Sequence, residues 1–83
     1  MFELKISPKA ERRIKKLKKE YQLEIISILT DIKEDPLSGK PLSRELMGRF
    51  TYKFKAYRII YKVNLKDKII DILDADRRDR IYN

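Results

Sequence analysis

Two cations face each other in the stretch GRFTYKFKAYR, Gly48 to Arg58, which runs straight on into IIYKV, and the chemistry they offer is the holding of an anion. Phe50, Tyr52 and Phe54 alternate with Thr51, Lys53 and Lys55. Tyr57, Ile59, Tyr61 and Val63 then alternate with Arg58, Ile60 and Lys62, and two runs of period two read as strands. A hairpin turning at Lys55 and Ala56 pairs Phe54 with Tyr57, Tyr52 with Ile59 and Phe50 with Tyr61 on one apolar face. On the other face Lys53 falls opposite Arg58 and Arg49 opposite Lys62, with nothing acidic nearby in the stretch. Like charges directly opposite destabilise a sheet, so this pair either splays into water or holds a negative ligand. Neither Lys55 nor Ala56 favours the positive backbone angles of a tight turn, which leaves a wider loop open.

A second group of cations follows in DADRRDRIYN, Asp74 to Asn83, where Arg77, Arg78, Arg80 and Tyr82 come just past the expected last strand. If that strand neighbours the hairpin, these arginines reach the Lys53 and Arg58 face. Arginine brackets a phosphate and tyrosine stacks on an unpaired base, a combination suited to RNA. The plainer alternative is that Asp74, Asp76 and Asp79 pair locally with the arginines in an ordinary charged tail.

These side chains need a sheet and elements to hold it. Phe2 to Ile6 reads as a short strand. Ser7 is placed as a helix N-cap, with Pro8 at the first helical position and Glu11 in the first turn. Ala10, Ile14, Leu17 and Tyr21 form the apolar stripe of that first helix, while Lys9, Arg12, Arg13, Lys15, Lys16, Lys18 and Lys19 cover much of the rest. A second helix is predicted from Gln22 to Lys33, with Ile25, Ile28, Leu29 and Ile32 at helical spacing and Asp35 and Pro36 closing it. Leu37 to Leu42 reads as a connecting loop, Asn64 to Asp67 as a turn, and Lys68 to Leu73 as the last strand. The predicted order, β-α-α-β-β-β, indicates an α+β fold with two N-terminal helices packed on one face of a small antiparallel sheet.

Eighty-three residues predict a single domain over residues 1–83. A domain of this size buries only about 60–65% of its unfolded surface, so a site in a surface groove is expected instead of an internal cavity. Lys and Arg number 21 against 13 Asp and Glu, a net charge of +8 that attracts polyanions. The excess sits in residues 1–20, with eight cations and three anions, and in residues 48–68, with seven and one. The absence of cysteine removes disulfide and thiol chemistry. With no apolar run of about 18 residues and no signal-peptide pattern in MFELKISPKA, a cytoplasmic protein with no membrane association is expected.

The pattern Gly48-x-Phe50, Tyr52-Lys53, Tyr57-Arg58-x-Ile60-Tyr61, followed by an Ile-rich strand and an Arg-rich tail closing on Tyr82, resembles the RelE/ParE superfamily of toxins. YKVNLKDKIIDILDADRRDRIYN is particularly similar to archaeal RelE. The resemblance covers nearly the whole chain, specific from Leu46 onward and generic before it. It implies a RelE-like microbial RNase fold and a ribosome-dependent endoribonuclease that cuts messenger RNA in the ribosomal A site. It further implies a RelB-like antitoxin that wraps the toxin in a hetero-oligomer. Carried over, Lys53 takes the basic position on the second strand, Arg58 the arginine of the Tyr-Arg pair, Arg78 or Arg80 the tail arginine, and Tyr82 the terminal tyrosine. The chain departs from the family at Thr51, where a basic residue is frequent, at Lys55-Ala56, where Gly-Asp is frequent, and at Asp76, in a region where many relatives carry histidine. Either Lys55 replaces the charge missing at Thr51 or the site is weaker than in those relatives.

The chemistry has its own logic. With no histidine in the chain, the two-histidine route to RNA cleavage is excluded, as is a Cys/His metal site. Asp71, Asp74, Asp76 and Asp79 offer oxygens to magnesium, but the interleaved arginines repel the ion, and neither metal nor cofactor is expected. What remains is attack of an RNA 2′-hydroxyl on its neighbouring phosphate. Arg58 and Arg78 are placed to stabilise the phosphorane oxygens, and Lys53 or Tyr82 to move protons. Arg49, Lys55, Arg77 and Arg80 are further RNA contacts. Lys15, Lys16, Lys18 and Lys19 contact ribosomal RNA or form a solvated face. Two alternatives stand beside the nuclease: a ParE-like toxin that inhibits DNA gyrase by binding, and a plain basic RNA-binding module.

Overall fold

Proline at the first helical position and a serine before it fix where the first helix begins. In the computed structural model, which describes residues 2–37, 40–41, 49–54 and 57–77 of the chain, the Ser7 hydroxyl oxygen accepts the Ala10 N–H at 3.0 Å. The elements in order are β1 (Glu3–Ile6), α1 (Pro8–Lys15), α2 (Lys19–Glu34), β2 (Lys40–Pro41), β3 (Arg49–Phe54), β4 (Tyr57–Asn64) and β5 (Ile69–Arg77). The five strands lie in the order β1-β5-β4-β3-β2. The α+β architecture with a helix pair on the sheet is the one expected. The long strands β3, β4 and β5 pair antiparallel, and β1 joins the edge of β5 in parallel.

The helices divide earlier than the apolar stripe suggests. The first helix stops at Lys15 and the second starts at Lys19, so Tyr21 belongs to α2. No glycine or proline marks the break. It is held by Gln22, whose side-chain amide donates to the carbonyls of Lys15 at 3.2 Å and Leu17 at 2.8 Å, oxygens that a helix end leaves open. Ile25, Ile28, Leu29 and Ile32 of α2 meet Ala10 of α1 and Ile59, Tyr61, Ile70, Ile72 and Ala75 of the sheet in one buried core. The Tyr61 hydroxyl, inside that core, donates to the Pro36 carbonyl at 2.8 Å, tying β4 to the chain just past α2.

The β3–β4 register is the predicted one: Arg49 pairs with Lys62, Phe50 with Tyr61, Tyr52 with Ile59, Lys53 with Arg58 and Phe54 with Tyr57. The turn expected at Lys55 and Ala56 lies outside the described residues. The segment read as a loop from Leu37 to Leu42 contains the short strand β2, which pairs with β3. The turn after β4 is closed by Asn64, whose side-chain oxygen accepts the Asp67 N–H at 2.9 Å. Lys68 then takes a φ of 55°, the left-handed conformation that lets the chain reverse into β5.

The last strand departs most from expectation. It runs to Arg77 instead of stopping at Leu73, and its pairing with β4 shifts between Ile60 and Tyr61. Tyr61 pairs with Ile72 and Ile60 with Asp74, so Leu73 is an extra residue, a bulge. Before the bulge, Ile70 and Ile72 face the helices. After it Ala75 takes that role, and Asp74 and Asp76 turn to the opposite face. Ser7 supports this point from α1, its backbone N–H donating to the Ile72 carbonyl and its hydroxyl to the Leu73 carbonyl, both at 3.0 Å. Among the described residues no helix is long and apolar enough to cross a membrane.

Candidate anion-binding face

The sheet face away from the core reads across the strands as three rows. The first is Lys53 on β3, Arg58 on β4 and Asp76 on β5. The second is Thr51, Ile60 and Asp74, and the third is Arg49, Lys62 and Asp71. A strand rises about 3.3 Å per residue, so the first and third rows are roughly 13 Å apart. Each cation pair thus ends on a carboxylate. The hairpin alone has no acidic residue beside Lys53 and Arg58, but β5 sets Asp76 directly beside Arg58, which corrects the expectation of a site with nothing acidic near it.

Asp76 and Asp74 are buried, 8% and 9% exposed, and side chains of α1 reach both. Arg13 places Nη1 2.9 Å from Asp76 Oδ2 and 3.2 and 3.1 Å from the two oxygens of Asp74. Lys9 Nζ lies 3.4 Å from Asp74 Oδ2, and the Ala75 N–H donates to Asp74 Oδ1 at 2.9 Å. For these two aspartates the described ion pairs run to the first helix, where local pairing with the arginines of the tail was the alternative drawn from sequence. The middle row is sealed: Thr51 is 5% and Ile60 9% exposed, so two polar patches flank a buried strip.

Of the residues singled out from sequence, Lys53, Arg58 and Arg49 share this face. Arg77 is a backbone position at the end of β5, paired with Tyr57. Lys55, Arg78, Arg80 and Tyr82 lie outside the described residues. Lys15, Lys16, Lys18 and Lys19 gather around the break between α1 and α2, close in sequence to Tyr21, whose ring meets that of Tyr57 at 5.4 Å, and Lys15 pairs with Glu11 at 2.9 Å. In the sequence, Arg13 and Lys9 stand only among the cations that cover the rest of the first helix. The signal that singles out Arg13 is its spacing, three residues after Ala10 and beside Ile14, at the margin of the apolar stripe.

A helix pair packed on a mostly antiparallel sheet is the fold this chain shares with toxins of known structure. A family model for the ParE toxin of type II toxin-antitoxin systems matches residues 4–82, and the chain belongs to that family. Toxin RelG of Mycobacterium tuberculosis is 40% identical over 53 residues, 63% of this chain and 61% of that protein, so the match spans less than two thirds of the relative. The toxin-antitoxin complex RelBE2 of Mycobacterium tuberculosis contains a similar structure, with a TM-score of 0.85 and 29% identity, covering 93% of this chain and 98% of that one. The archaeal RelE-RelB complex of Pyrococcus horikoshii shares the fold, with a TM-score of 0.78 at 22% identity, covering 95% of this chain and 97% of the other.

Proposed function

We propose that this toxin is a ribosome-dependent endoribonuclease that cuts messenger RNA in the ribosomal A site and so inhibits translation. The observation that carries the reading is the placement of Lys53 directly opposite Arg58 on the sheet face away from the core. The scissile phosphate lies against this pair. The 2′-hydroxyl of one nucleotide attacks its own 3′ phosphorus, a 2′,3′-cyclic phosphate forms, and the bond to the next 5′ oxygen breaks. One proton leaves the 2′-hydroxyl and one arrives at the 5′ oxygen, with Lys53 or Tyr82 as the groups that move them. Arg58, with Arg78 from the tail, donates to the phosphorane oxygens as charge builds on them, an effect worth about 10²- to 10³-fold per donor. The ribosome supplies the in-line geometry, which accounts for a requirement for it.

In this reading residues 1–83 act as one cytoplasmic toxin domain, neutralised by a RelB-like antitoxin in a hetero-oligomer. Support for the partner comes from the similar RelBE2 and archaeal RelE-RelB structures, which are toxin-antitoxin complexes. An acidic amphipathic segment lying over the Lys53 row fits the surplus of charge there. The matched family is described by its ParE toxin, and this favours a second reading, gyrase inhibition by binding without cleavage.

The test is to incubate the purified chain with programmed ribosomes, and separately with the same messenger alone, mapping cuts by primer extension beside Arg58→Ala. Cleavage that needs the ribosome and is lost in the variant supports the nuclease. No cleavage in either condition, with inhibition of supercoiling by gyrase, replaces it with the second reading.

A further inference from the structure

We propose that Arg13 is a positioning residue of the anion site: it compensates the charge of Asp76 and Asp74, and thereby leaves the Lys53–Arg58 row with a net attraction for phosphate. The inference rests on the reading of that row as the phosphate-binding face. The row by itself is poorly balanced for the task, because Asp76 is the β5 neighbour of Arg58 and Asp74 stands one row below. Two buried carboxylates this near would compete with a phosphate for the same cations, and in a poorly solvated site such competition is strong. Arg13 answers both at once, at 2.9 Å from Asp76 and 3.1 Å from Asp74 through the same nitrogen. Its side chain remains 34% exposed while the carboxylate side chains are 10% and 12%, so the cation closes the network on its solvent side.

The geometry also explains why this task falls to the first helix. The bulge at Leu73 is what turns Asp74 and Asp76 to the cationic face, and the same stretch of β5 is held to α1 through Ser7. The helix therefore enters beside the two aspartates, and Arg13, one turn and a half along from the cap, comes level with them. Lys9, nearer the cap, contacts Asp74, whereas Arg13 meets Asp74 and Asp76 together through Nη1.

The experiment is an NMR titration of the full chain with an uncleavable dinucleotide, 2′-O-methyl ribose flanking its single phosphate, following the backbone amides of Lys53 and Arg58. Arg13→Gln is expected to weaken binding at least roughly fivefold, a coupling typical of groups sharing one charge network. Arg13→Gln/Asp74→Asn/Asp76→Asn is expected to restore it to the wild-type value, and Asp74→Asn/Asp76→Asn alone to bind as well as or better than wild type. Arg13→Lys falls between. If Arg13→Gln does not fold, the triple variant still decides: an affinity as low as that expected if Arg13 touched the phosphate itself overturns the inference. Unchanged binding in folded Arg13→Gln overturns it, as does a wild-type chain whose Lys53 and Arg58 amides do not respond to the dinucleotide. If the Arg13 dependence is found but programmed ribosomes are not cut, the charge compensation stands and the nuclease reading falls.

Discussion

The Ser7 hydroxyl donates to the Leu73 carbonyl at 3.0 Å while its oxygen caps α1 through the Ala10 N–H, so one side chain starts the first helix and supports the bulge of the last strand. Ser7→Ala removes both bonds and is expected to destabilise the fold by about 1–2 kcal/mol. Ser7→Asp keeps the capping acceptor but has no donor for Leu73, and is expected to lie between Ser and Ala. Urea unfolding of the three proteins measures this. An aspartate variant as stable as wild type would show that the bulge carbonyl does not need the hydroxyl.

Tyr61 is fully buried, and its hydroxyl satisfies the Pro36 carbonyl at 2.8 Å. Removing the hydroxyl leaves that carbonyl without its described donor in the interior. Tyr61→Phe should therefore cost about 1–3 kcal/mol while leaving the proposed cleavage at low temperature unchanged, since the residue faces the helices and not the Lys53 row. A shift in the urea midpoint within experimental scatter would sink this account.

The hairpin register and the core side of the helices were legible because each is a statement of period: alternating aromatics against cations for β3 and β4, and 3.6-residue spacing of Ile25, Ile28, Leu29 and Ile32 for α2. Two things were not. The break between the helices at Lys16 to Lys18 has no glycine or proline to announce it, and the carbonyls it opens are satisfied by Gln22 from the first turn of the next helix. The bulge at Leu73 interrupts the alternation of β5, so Asp74 to Arg77 read as tail where they continue the strand. That second difference concealed half of the candidate site. Only with Asp76 set beside Arg58 does Arg13, 61 residues before Asp74, acquire a part in the electrostatics.

The Arg49–Lys62 row repeats the Lys53–Arg58 row about 13 Å along the same strands. In an extended single strand that spacing carries RNA from the phosphate at the first pair to one beyond its immediate neighbour. Both Arg49 and Lys62 are exposed, and under the proposed function they would serve affinity only. Arg49→Glu/Lys62→Glu is expected to weaken binding of a single-stranded RNA several nucleotides long, and to reduce the slope of log affinity against log salt by roughly 0.7 for each phosphate no longer neutralised. Binding of the dinucleotide, too short to reach the second row, should not change. Equal weakening with both ligands would indicate a general field effect and remove the second phosphate site.

Lys15, Lys16, Lys18 and Lys19 sit where the two helices meet, and all four are exposed. The described ion pair among them, Lys15 with Glu11, is an exposed contact of the kind worth roughly 0–1 kcal/mol, so reversing these charges should leave stability nearly intact. Their density suits a polyanion larger than one message strand, and ribosomal RNA is the one the proposed function supplies. Lys16→Glu/Lys18→Glu/Lys19→Glu is therefore expected to weaken association with ribosomes in a salt-sensitive way, while the dinucleotide still binds the Lys53 row as in wild type. Sedimentation of the variant with ribosomes across a salt series makes the measurement. Co-sedimentation indistinguishable from wild type at every salt concentration would leave this end of the molecule as a solvated face, and the ribosome would then be engaged through the sheet.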